Sequence, residues 1–152
     1  MSLHTALVKI EEEKISSEKA KKFIASKENG AESIFVGKVR NKNDGREVVA
    51  VTYDAHDQAV IKSFQSICNN AKNKFDENAK IFLEHAKGYT LVGEISILIA
   101  VGSGHREEAF KICRYILEEV KHQTPIWKKE HYGAGKEEWL PGHSLRPKKE
   151  IK

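Results

Sequence analysis

The sequence predicts an α+β fold with a mixed, largely antiparallel sheet, hairpins and three main helices. Strand-like segments are joined by short turns, and three other segments carry apolar residues at helical spacing. Of the 152 residues, 39% are hydrophobic and 32% charged, which suits one folded domain and excludes a disordered chain. We expect residues 1–145 to form that domain and residues 146–152 to be a charged, mobile tail.

The first half of the chain is predicted to contain three strands and two helices. The first helix follows Ser16 or Ser17, either of which can cap it, and Gly30 lies just past its end. Asn41–Gly45 is rich in turn-forming residues, so the strands on either side of it are expected to pair as a hairpin. The predicted elements are strands at Ala6–Ile10, Ser33–Arg40 and Val48–Tyr53, and helices at Glu18–Lys27 and Asp57–Phe75.

The second half is predicted to contain a buried strand, a long helix and a hairpin. Ile95–Val101 is apolar on both faces, as is typical of a covered central strand. A helix that begins near Arg106 cannot continue through Pro125, because proline lacks the amide hydrogen. The other predicted elements are a strand at Lys80–His85, a loop containing Gly88 and Gly93, and a hairpin of Ile126–His131 with Glu138–Leu140. The apolar face of the long helix is expected to comprise Ala109, Phe110, Ile112, Cys113, Ile116, Leu117 and Val120.

Composition argues against several classes of protein. No apolar run approaches the roughly 20 residues that cross a bilayer, and the N-terminus lacks the pattern of a signal peptide. Cys68 and Cys113 are too few for a disulfide framework, and the seven histidines have no metal-ligand spacing. We therefore expect a cytoplasmic protein with neither a membrane segment nor a bound metal.

The basic excess is concentrated at the C-terminus. The formal net charge is +4, but residues 146–152 contain four basic residues and one acidic residue. Residues 1–145 are therefore nearly neutral, with 22 basic and 21 acidic residues, which argues against a nucleic-acid surface. A small RNA-binding module is still the alternative from another class, and it would need cations along one continuous face.

Three groups of basic residues are candidate anion sites. Gly102–Arg106 turns from a buried strand into a helix, whose N-terminal amides attract anions, although most such turns are structural. Lys38–Arg40 ends a strand, where the arginine can bind a phosphate bidentately or be an ordinary strand-end charge. Lys121 ends the long helix, and Lys128 has apolar neighbours that would lower the pKa of its amine, although solvated lysines are commoner.

The length of the long helix bears on how these groups combine. Arg106 and Lys121 are 15 residues apart, or about 22 Å along a helix. If His105, Arg106 and Lys121 serve one small ligand, two copies of the chain must contribute. The sequence therefore predicts a homodimer.

Four blocks of sequence occur in an order that is found in a known family. They are Phe35–Asn41, His85 with Gly88 and Gly93-Glu94, His105-Arg106 with Ala109-Phe110, and Pro125–Glu130. This ordered set covers about residues 31–140 and resembles the large, catalytic subunit of molybdopterin synthase. The sequence departs from the family pattern at Ala86 and at Tyr53–Asp57, which affects the expected surface and partner contacts.

The resemblance implies an α/β-hammerhead fold, a homodimer and one small ubiquitin-like partner for each large subunit. The C-terminal Gly-Gly of that partner carries a thiocarboxylate, which donates sulfur to cyclic pyranopterin monophosphate and forms the dithiolene of molybdopterin without a metal or soluble cofactor. Lys121 would be the principal catalytic residue, as nucleophile or as acid/base, with Lys128 as its electrostatic partner. The residues implied to bind the substrate are Lys38, Val39, Arg40, His105, Arg106, Lys129 and Glu130. A non-catalytic dimeric scaffold of the same fold is the remaining alternative.

Overall fold

The computed structural model describes residues 1–133 and 135–140, within which the chain forms eight strands and three helices. The α+β class and the mixed, largely antiparallel sheet are confirmed. The predicted tail at residues 146–152 lies outside the described residues. The strands are β1 (Leu3–Lys9), β2 (Ala31–Lys38), β3 (Lys42–Asn43), β4 (Arg46–Ala55), β5 (Lys80–Leu91), β6 (Ile95–Ser103), β7 (Ile126–Tyr132) and β8 (Glu137–Trp139). The helices are α1 (Ser17–Ile24), α2 (Asp57–Phe75) and α3 (Arg106–Gln123).

Strand β5 is central in the sheet, because β1, β4 and β6 all pair with it. Along its first half, Leu83 lies opposite Thr5 of the parallel strand β1 and Ile99 of the antiparallel strand β6. Along its second half, Thr90 lies opposite Val51 of β4. The strand order is β2-β6-β5-β4-β7-β8, with β1 beside β5 and β3 beside β4. The long strand thus links a part of the sheet covered by helices to the smaller part formed by β4, β7 and β8.

The core lies between this sheet and the helices. Helices α2 and α3 pack on each other, α3 also packs on β2 and β6, and α1 packs on β5 and β6. Strand β6 is buried from Ser96 to Ser103, as predicted for a strand covered on both faces. No helix within the described ranges is long and apolar enough to cross a bilayer. The largest fully buried side chains include Phe64, Phe82, Ile67, Leu83, Leu98, Ile99, Ile112 and Ile116.

Helix α1 begins where the sequence predicts and ends three residues earlier. The Ser16 hydroxyl accepts a hydrogen bond from the backbone amide of Lys19 at 3.2 Å, so Ser16 and not Ser17 is the cap. At the other end, the side-chain amide of Asn29 donates to the carbonyl oxygen of Ile24 at 3.3 Å. This bond satisfies one of the free carbonyl groups at the end of the helix. The helix therefore ends at Ile24 and does not reach the predicted Lys27.

The predicted hairpin between Ser33–Arg40 and Val48–Tyr53 is wrong. Strand β2 pairs with β6, and β4 pairs with β5 and β7. The chain leaves the sheet at Val39, whose backbone bonds instead to Gly93 and Glu94 in the β5–β6 turn. The turn residues do form a hairpin, with Asp44 and Gly45 at positive φ, but it pairs only Lys42–Asn43 with Arg46–Glu47.

The predicted loop after His85 is confirmed at Gly93, which lies in the β5–β6 turn, and wrong at Gly88, because β5 continues without a break to Leu91. Gly88 has a φ of 106° and marks the point where β5 changes partners, from β1 and β6 to β4. A Cβ at this position would lie 2.4 Å from the carboxylate of Glu11. The glycine therefore bends the strand and admits a close neighbour without ending the strand.

Helix α3 confirms the predicted apolar face with one exception. Ala109, Ile112, Ile116 and Val120 form one buried stripe at helical spacing. Phe110 was expected on that face, but it is 64% exposed. At 100° per residue, Phe110 lies at the edge of this stripe.

Candidate active site

Strand β7 carries three of the predicted site residues, and its pairing with β4 determines which way each one faces. Tyr53 lies opposite Lys128, and Val51 lies opposite Glu130. Side chains alternate along a strand, so Lys128 and Glu130 share one face of the sheet and Lys129 lies on the other. The structure therefore does not place these three consecutive residues in one cluster.

Lys128 is surrounded by charged groups from distant parts of the chain. Burial lowers the pKa of Lys128, and Glu130 opposes that shift, while the positive charges of Lys121 and Arg40 lower the pKa further. Lys121 lies in the last turn of α3, and Arg40 lies just after β2. The structure thus brings together the predicted pair Lys121 and Lys128, with Arg40 and Glu130 beside them.

Glu130 is the buried acidic member of this group, with 4% of its surface exposed. The side-chain amide nitrogen of Asn43 lies 3.0 Å from each of its carboxylate oxygens. The Tyr132 hydroxyl donates a third hydrogen bond to it at 2.8 Å. The carboxylate is therefore held by two neutral side chains, while it interacts with Lys128 by charge.

Two uncharged rings lie beside the cations. Burial lowers the pKa of His85 to about 4, and the positive charge of Lys128 lowers it as well. The hydrogen bond to the Ala86 carbonyl oxygen acts in the opposite direction but is outweighed. His85 is therefore neutral at pH 7. The ring of Tyr53 meets it edge-on, with centroids 4.9 Å apart, and burial raises the pKa of the Tyr53 hydroxyl. Because these two uncharged side chains exclude water, they lower the local dielectric constant and strengthen the interactions among the neighbouring charges.

Lys129 belongs to the opposite surface of the sheet. Its ammonium group lies 3.1 Å from a carboxylate oxygen of Glu137 and 4.9 Å from the ring centroid of Trp139, both on β8. The residue also lines a cleft of about 340 Å³ together with Lys9, Thr52 and Lys87. These contacts fasten β7 to β8 and separate Lys129 from Lys128.

Lys38 and Val39 stand at the end of β2, next to Arg40. Lys38 is exposed and pairs with Ile95, whereas Val39 is buried in the core. The backbone of Val39 bonds to the β5–β6 turn, accepting from Gly93 at 2.8 Å and donating to Glu94 at 3.1 Å. These two bonds fix the point from which Arg40 extends.

His105 and Arg106 lie at the other end of α3 from Lys121. The helix is continuous from Arg106 to Gln123, which places these ends about 22 Å apart, as predicted. His105 lines a cleft of about 580 Å³, where Asp76 accepts hydrogen bonds from the Ser103 hydroxyl at 2.5 Å and from the Gly104 amide. Within one chain, therefore, these residues are not part of the Lys121 and Lys128 cluster.

Comparison with known proteins identifies the family. Residues 10–123 of this chain match the family described as MoaE protein. The chain belongs to the MoaE protein family. This result confirms the resemblance seen in the sequence blocks. The matched range includes Arg40, His105, Arg106 and Lys121, whereas β7 with Lys128 lies beyond it, so the position of Lys128 in this MoaE protein rests on the structure.

Two similar relatives of this MoaE family protein are both described as the catalytic subunit of molybdopterin synthase. The molybdopterin synthase catalytic subunit of Synechococcus elongatus is 41% identical over 126 residues, which are 83% of this chain and 76% of that protein. The molybdopterin synthase catalytic subunit of Pyrococcus abyssi is 38% identical over 137 residues, which are 90% of this chain and 91% of that protein. Both alignments therefore extend over most of each protein.

Solved structures share the fold of this MoaE protein. Molybdopterin synthase from Staphylococcus aureus superposes with a TM-score of 0.81 at 27% identity, covering 93% of this chain and 98% of that one. A complex of subunits 1 and 2 of the molybdopterin-converting factor from Helicobacter pylori contains a chain that superposes with a TM-score of 0.72 at 23% identity, covering 97% of this chain and 96% of that one. The predicted fold type is confirmed by these likenesses.

Sequence reasoning missed Asn43, Tyr53 and Tyr132 as neighbours of the charged cluster. Asn43 was assigned only to a turn, and its contact with Glu130 spans 87 positions in sequence. Local patterns carry no signal of such a distance. The facing of Lys129, by contrast, could have been deduced from the alternation along the predicted strand.

Opposite shifts in the pKa of Lys128 are expected when its charged neighbours are removed. Lys121→Gln deletes a positive charge that lowers this pKa, so the pKa should rise, whereas Glu130→Gln deletes the opposing negative charge, so the pKa should fall. Titration of the lysine Nζ signals by NMR measures both shifts, and Lys128→Arg assigns the signal. Shifts of the same sign in the two variants would contradict this arrangement of charges.

Gly30→Ala is expected to destabilise the turn that carries His105. A Cβ at Gly30 would lie 2.6 Å from the carbonyl oxygen of Gly104, so the backbone must shift, at a cost of about 1–3 kcal/mol in the free energy of unfolding. Gly104→Ala is the matched control, because a Cβ there meets nothing within 4 Å. Urea denaturation compares the two variants, and equal midpoints would contradict the close approach.

Proposed function

We propose that this MoaE family protein of molybdenum cofactor biosynthesis transfers sulfur from the C-terminal thiocarboxylate of a small ubiquitin-like subunit to cyclic pyranopterin monophosphate. Two such transfers form the dithiolene of molybdopterin. The observation that carries the proposal is the convergence of the charges of Arg40, Lys121 and the buried Glu130 on the amine of Lys128. The descriptions of the relatives in Synechococcus elongatus and Pyrococcus abyssi support it.

The proposed chemistry requires two anions to approach each other. A thiocarboxylate and a cyclic phosphate repel, and fixed cations in a partly buried site lower that repulsion and stabilise charge that develops on sulfur and oxygen. In each transfer the carbon–sulfur bond of the thiocarboxylate breaks, sulfur bonds to a side-chain carbon of the pterin, and a carbon–oxygen bond of that carbon breaks. The displaced oxygen stays on the phosphate as its ring opens in one transfer and leaves as water in the other. A water molecule adds its oxygen to the acyl carbon of the small subunit, whose tail is released as a carboxylate.

The two lysines have different proposed roles. Lys121 acts at the thiocarboxylate either as a nucleophile or as an acid/base, and Lys128 is its electrostatic partner. The charge of each lysine disfavours the charge of the other, and the lowered pKa of Lys128 reflects this effect together with burial.

The remaining predicted residues are assigned by position. We assign Lys38 and Arg40, both exposed at the end of β2, to substrate contact, with the buried Val39 fixing the backbone between them. Glu130 opposes the positive charges that act on Lys128. Lys129 faces the opposite surface, so we assign it to fastening β7 and β8 and not to substrate contact. No metal or soluble cofactor is required by this assignment.

Two protein partners belong to the proposal. The small subunit is supported by the Helicobacter pylori complex of subunits 1 and 2, which contains a chain of this fold. A second copy of this chain would bring His105 and Arg106 to the Lys121 of its partner, because one helix cannot bring both of its ends to one ligand. We place the assembly in the cytoplasm, where Cys68 and Cys113, both buried and unbonded, would stay reduced.

Reconstitution tests the proposed function. The purified chain is mixed with a thiocarboxylated small subunit and cyclic pyranopterin monophosphate, and the dithiolene product is measured with and without a chelator. We expect product in both samples. If no sulfur moves under conditions in which a known synthase works, while the chain still binds the small subunit, the protein is a scaffold and the proposal fails.

A further inference from the structure

Glu130 is held from two sides by residues that do not belong to the charged cluster. Asn43 reaches it from the β3–β4 hairpin, with the amide nitrogen 3.0 Å from both carboxylate oxygens. Tyr132 reaches it from two residues along β7, through a hydroxyl that donates at 2.8 Å. Because the carboxylate is almost fully buried, these donors replace most of the hydrogen bonds that water would supply.

The hairpin that carries Asn43 is short and has a two-residue turn. Lys42 and Asn43 form all of β3, and the turn to Arg46 passes through Asp44 at a φ of 50° and Gly45 at a φ of 76°. These are the positive φ values that a two-residue hairpin turn requires. The turn therefore fixes the direction in which the Asn43 side chain projects towards β7.

An outer layer secures the same arrangement. The guanidinium of Arg46 lies 3.5 Å from the centroid of the Tyr132 ring and 3.0 Å from a carboxylate oxygen of Glu138. The Tyr132 hydroxyl also lies 3.2 Å from Glu138. Burial and the hydrogen bond to Glu130 raise the pKa of Tyr132, so its hydroxyl keeps the proton that it donates.

We propose that Asn43 is a positioning residue for sulfur transfer, which holds the carboxylate of Glu130 in the orientation that supports the charge of Lys128. This inference rests on the proposed function, and it adds a hairpin that the candidate site does not otherwise use. Asn43 acts through Glu130, and Glu130 acts on Lys128 by charge. The contacts of Asn43 with both oxygens fix the direction of the carboxylate, whose negative charge opposes the lowering of the Lys128 pKa.

Asn43→Ala is the first test. We expect kcat for sulfur transfer to fall about tenfold, because a buried carboxylate loses a hydrogen-bond donor, while KM for the pterin and the affinity for the small subunit change less than about threefold. The pKa of Lys128 should fall, in the same direction as in Glu130→Gln. A kcat equal to that of the wild type, or an unchanged or higher pKa of Lys128, would refute the positioning role.

Asn43→Asp supplies a readout that a merely structural role would not change. The new carboxyl has the shape of the amide but can donate only when protonated, and the neighbouring Glu130 favours its protonation. Activity relative to the wild type should therefore rise as the pH is lowered from about 8 to about 6. The charged and titratable groups that act on Glu130 or Lys128 are Arg40, Tyr53, His85, Lys121 and Tyr132, and Arg46 and Glu138 act on Tyr132.

The controls separate this inference from the proposed function. Asn73→Asp makes the same chemical change at an exposed position of α2, and its activity relative to the wild type should not vary with pH. A flat profile for Asn43→Asp would refute the inference. If the wild type itself transfers no sulfur, the proposed function fails, and the Lys128 titration still decides whether Asn43 acts through Glu130.

Discussion

Lys121→Ala is expected to lower the rate of sulfur transfer by at least about 100-fold, because it removes the side chain that we propose acts directly at the thiocarboxylate. The complex with the small subunit should persist, since Lys121 is one residue in the last turn of α3 and the helix is held by Ile112, Ile116 and Val120. Single-turnover assays with a preformed complex measure the chemical step. Size-exclusion chromatography of the same sample measures the complex.

A control on the same helix makes this result specific. Lys111 is exposed on α3 and pairs with Glu107 one turn earlier, so Lys111→Ala removes the same charge far from the cluster. It should retain the activity of the wild type. Full activity in Lys121→Ala would remove this residue from the mechanism, and an equal loss in both variants would assign the effect to the net charge of the helix.

Elements with strong local patterns were predictable from the sequence. The unbroken apolar run of β6 and the apolar stripe of α3 identify a covered strand and a long helix, and the structure places both as expected. The Ser16 cap was among the two candidates for the start of α1. In each case the pattern and the structure are determined by residues only a few positions apart.

Strand pairing was not predictable in the same way. Asp44 and Gly45 correctly predict a hairpin turn, but a turn sequence does not predict how many residues pair on either side of it. Strand β3 has only two residues, because the backbone of Val39 bonds to Gly93 and Glu94. Gly88 was interpreted as a loop residue, whereas it marks a change of partners within one strand. Long-range competition for backbone hydrogen bonds decided both outcomes, and no local window contains it.

The candidate site shows the same division. The importance of single cations could be proposed from their neighbours, but the meeting of Arg40, Lys121 and Lys128 depends on where α3 ends relative to β7. The helical rise did give one long-range result, namely that Arg106 and Lys121 are too far apart to share a small ligand in one chain. Because of that distance, the proposed dimer can be tested by measuring whether residues from two copies restore activity together.

Mixing two inactive variants is expected to restore activity if sites are shared between copies. A chain with Arg106→Ala retains its Lys121, and a chain with Lys121→Ala retains its Arg106. In a mixed dimer one site receives both intact residues and the other receives neither. Random pairing of equal amounts makes half of the dimers mixed, so about a quarter of the wild-type activity should return.

The rescue has a matched control. A chain with both substitutions, mixed with the Arg106→Ala chain, forms dimers in which no site has both intact residues, so activity should stay at the level of the single variants. Native mass spectrometry with one partner isotopically labelled measures the fraction of mixed dimers in each sample. Mixed dimers without rescue would mean that His105 and Arg106 do not act at the Lys121 of the other copy. Rescue in the first mixture and not in the second would show that the two ends of α3, about 22 Å apart in one chain, meet across the dimer.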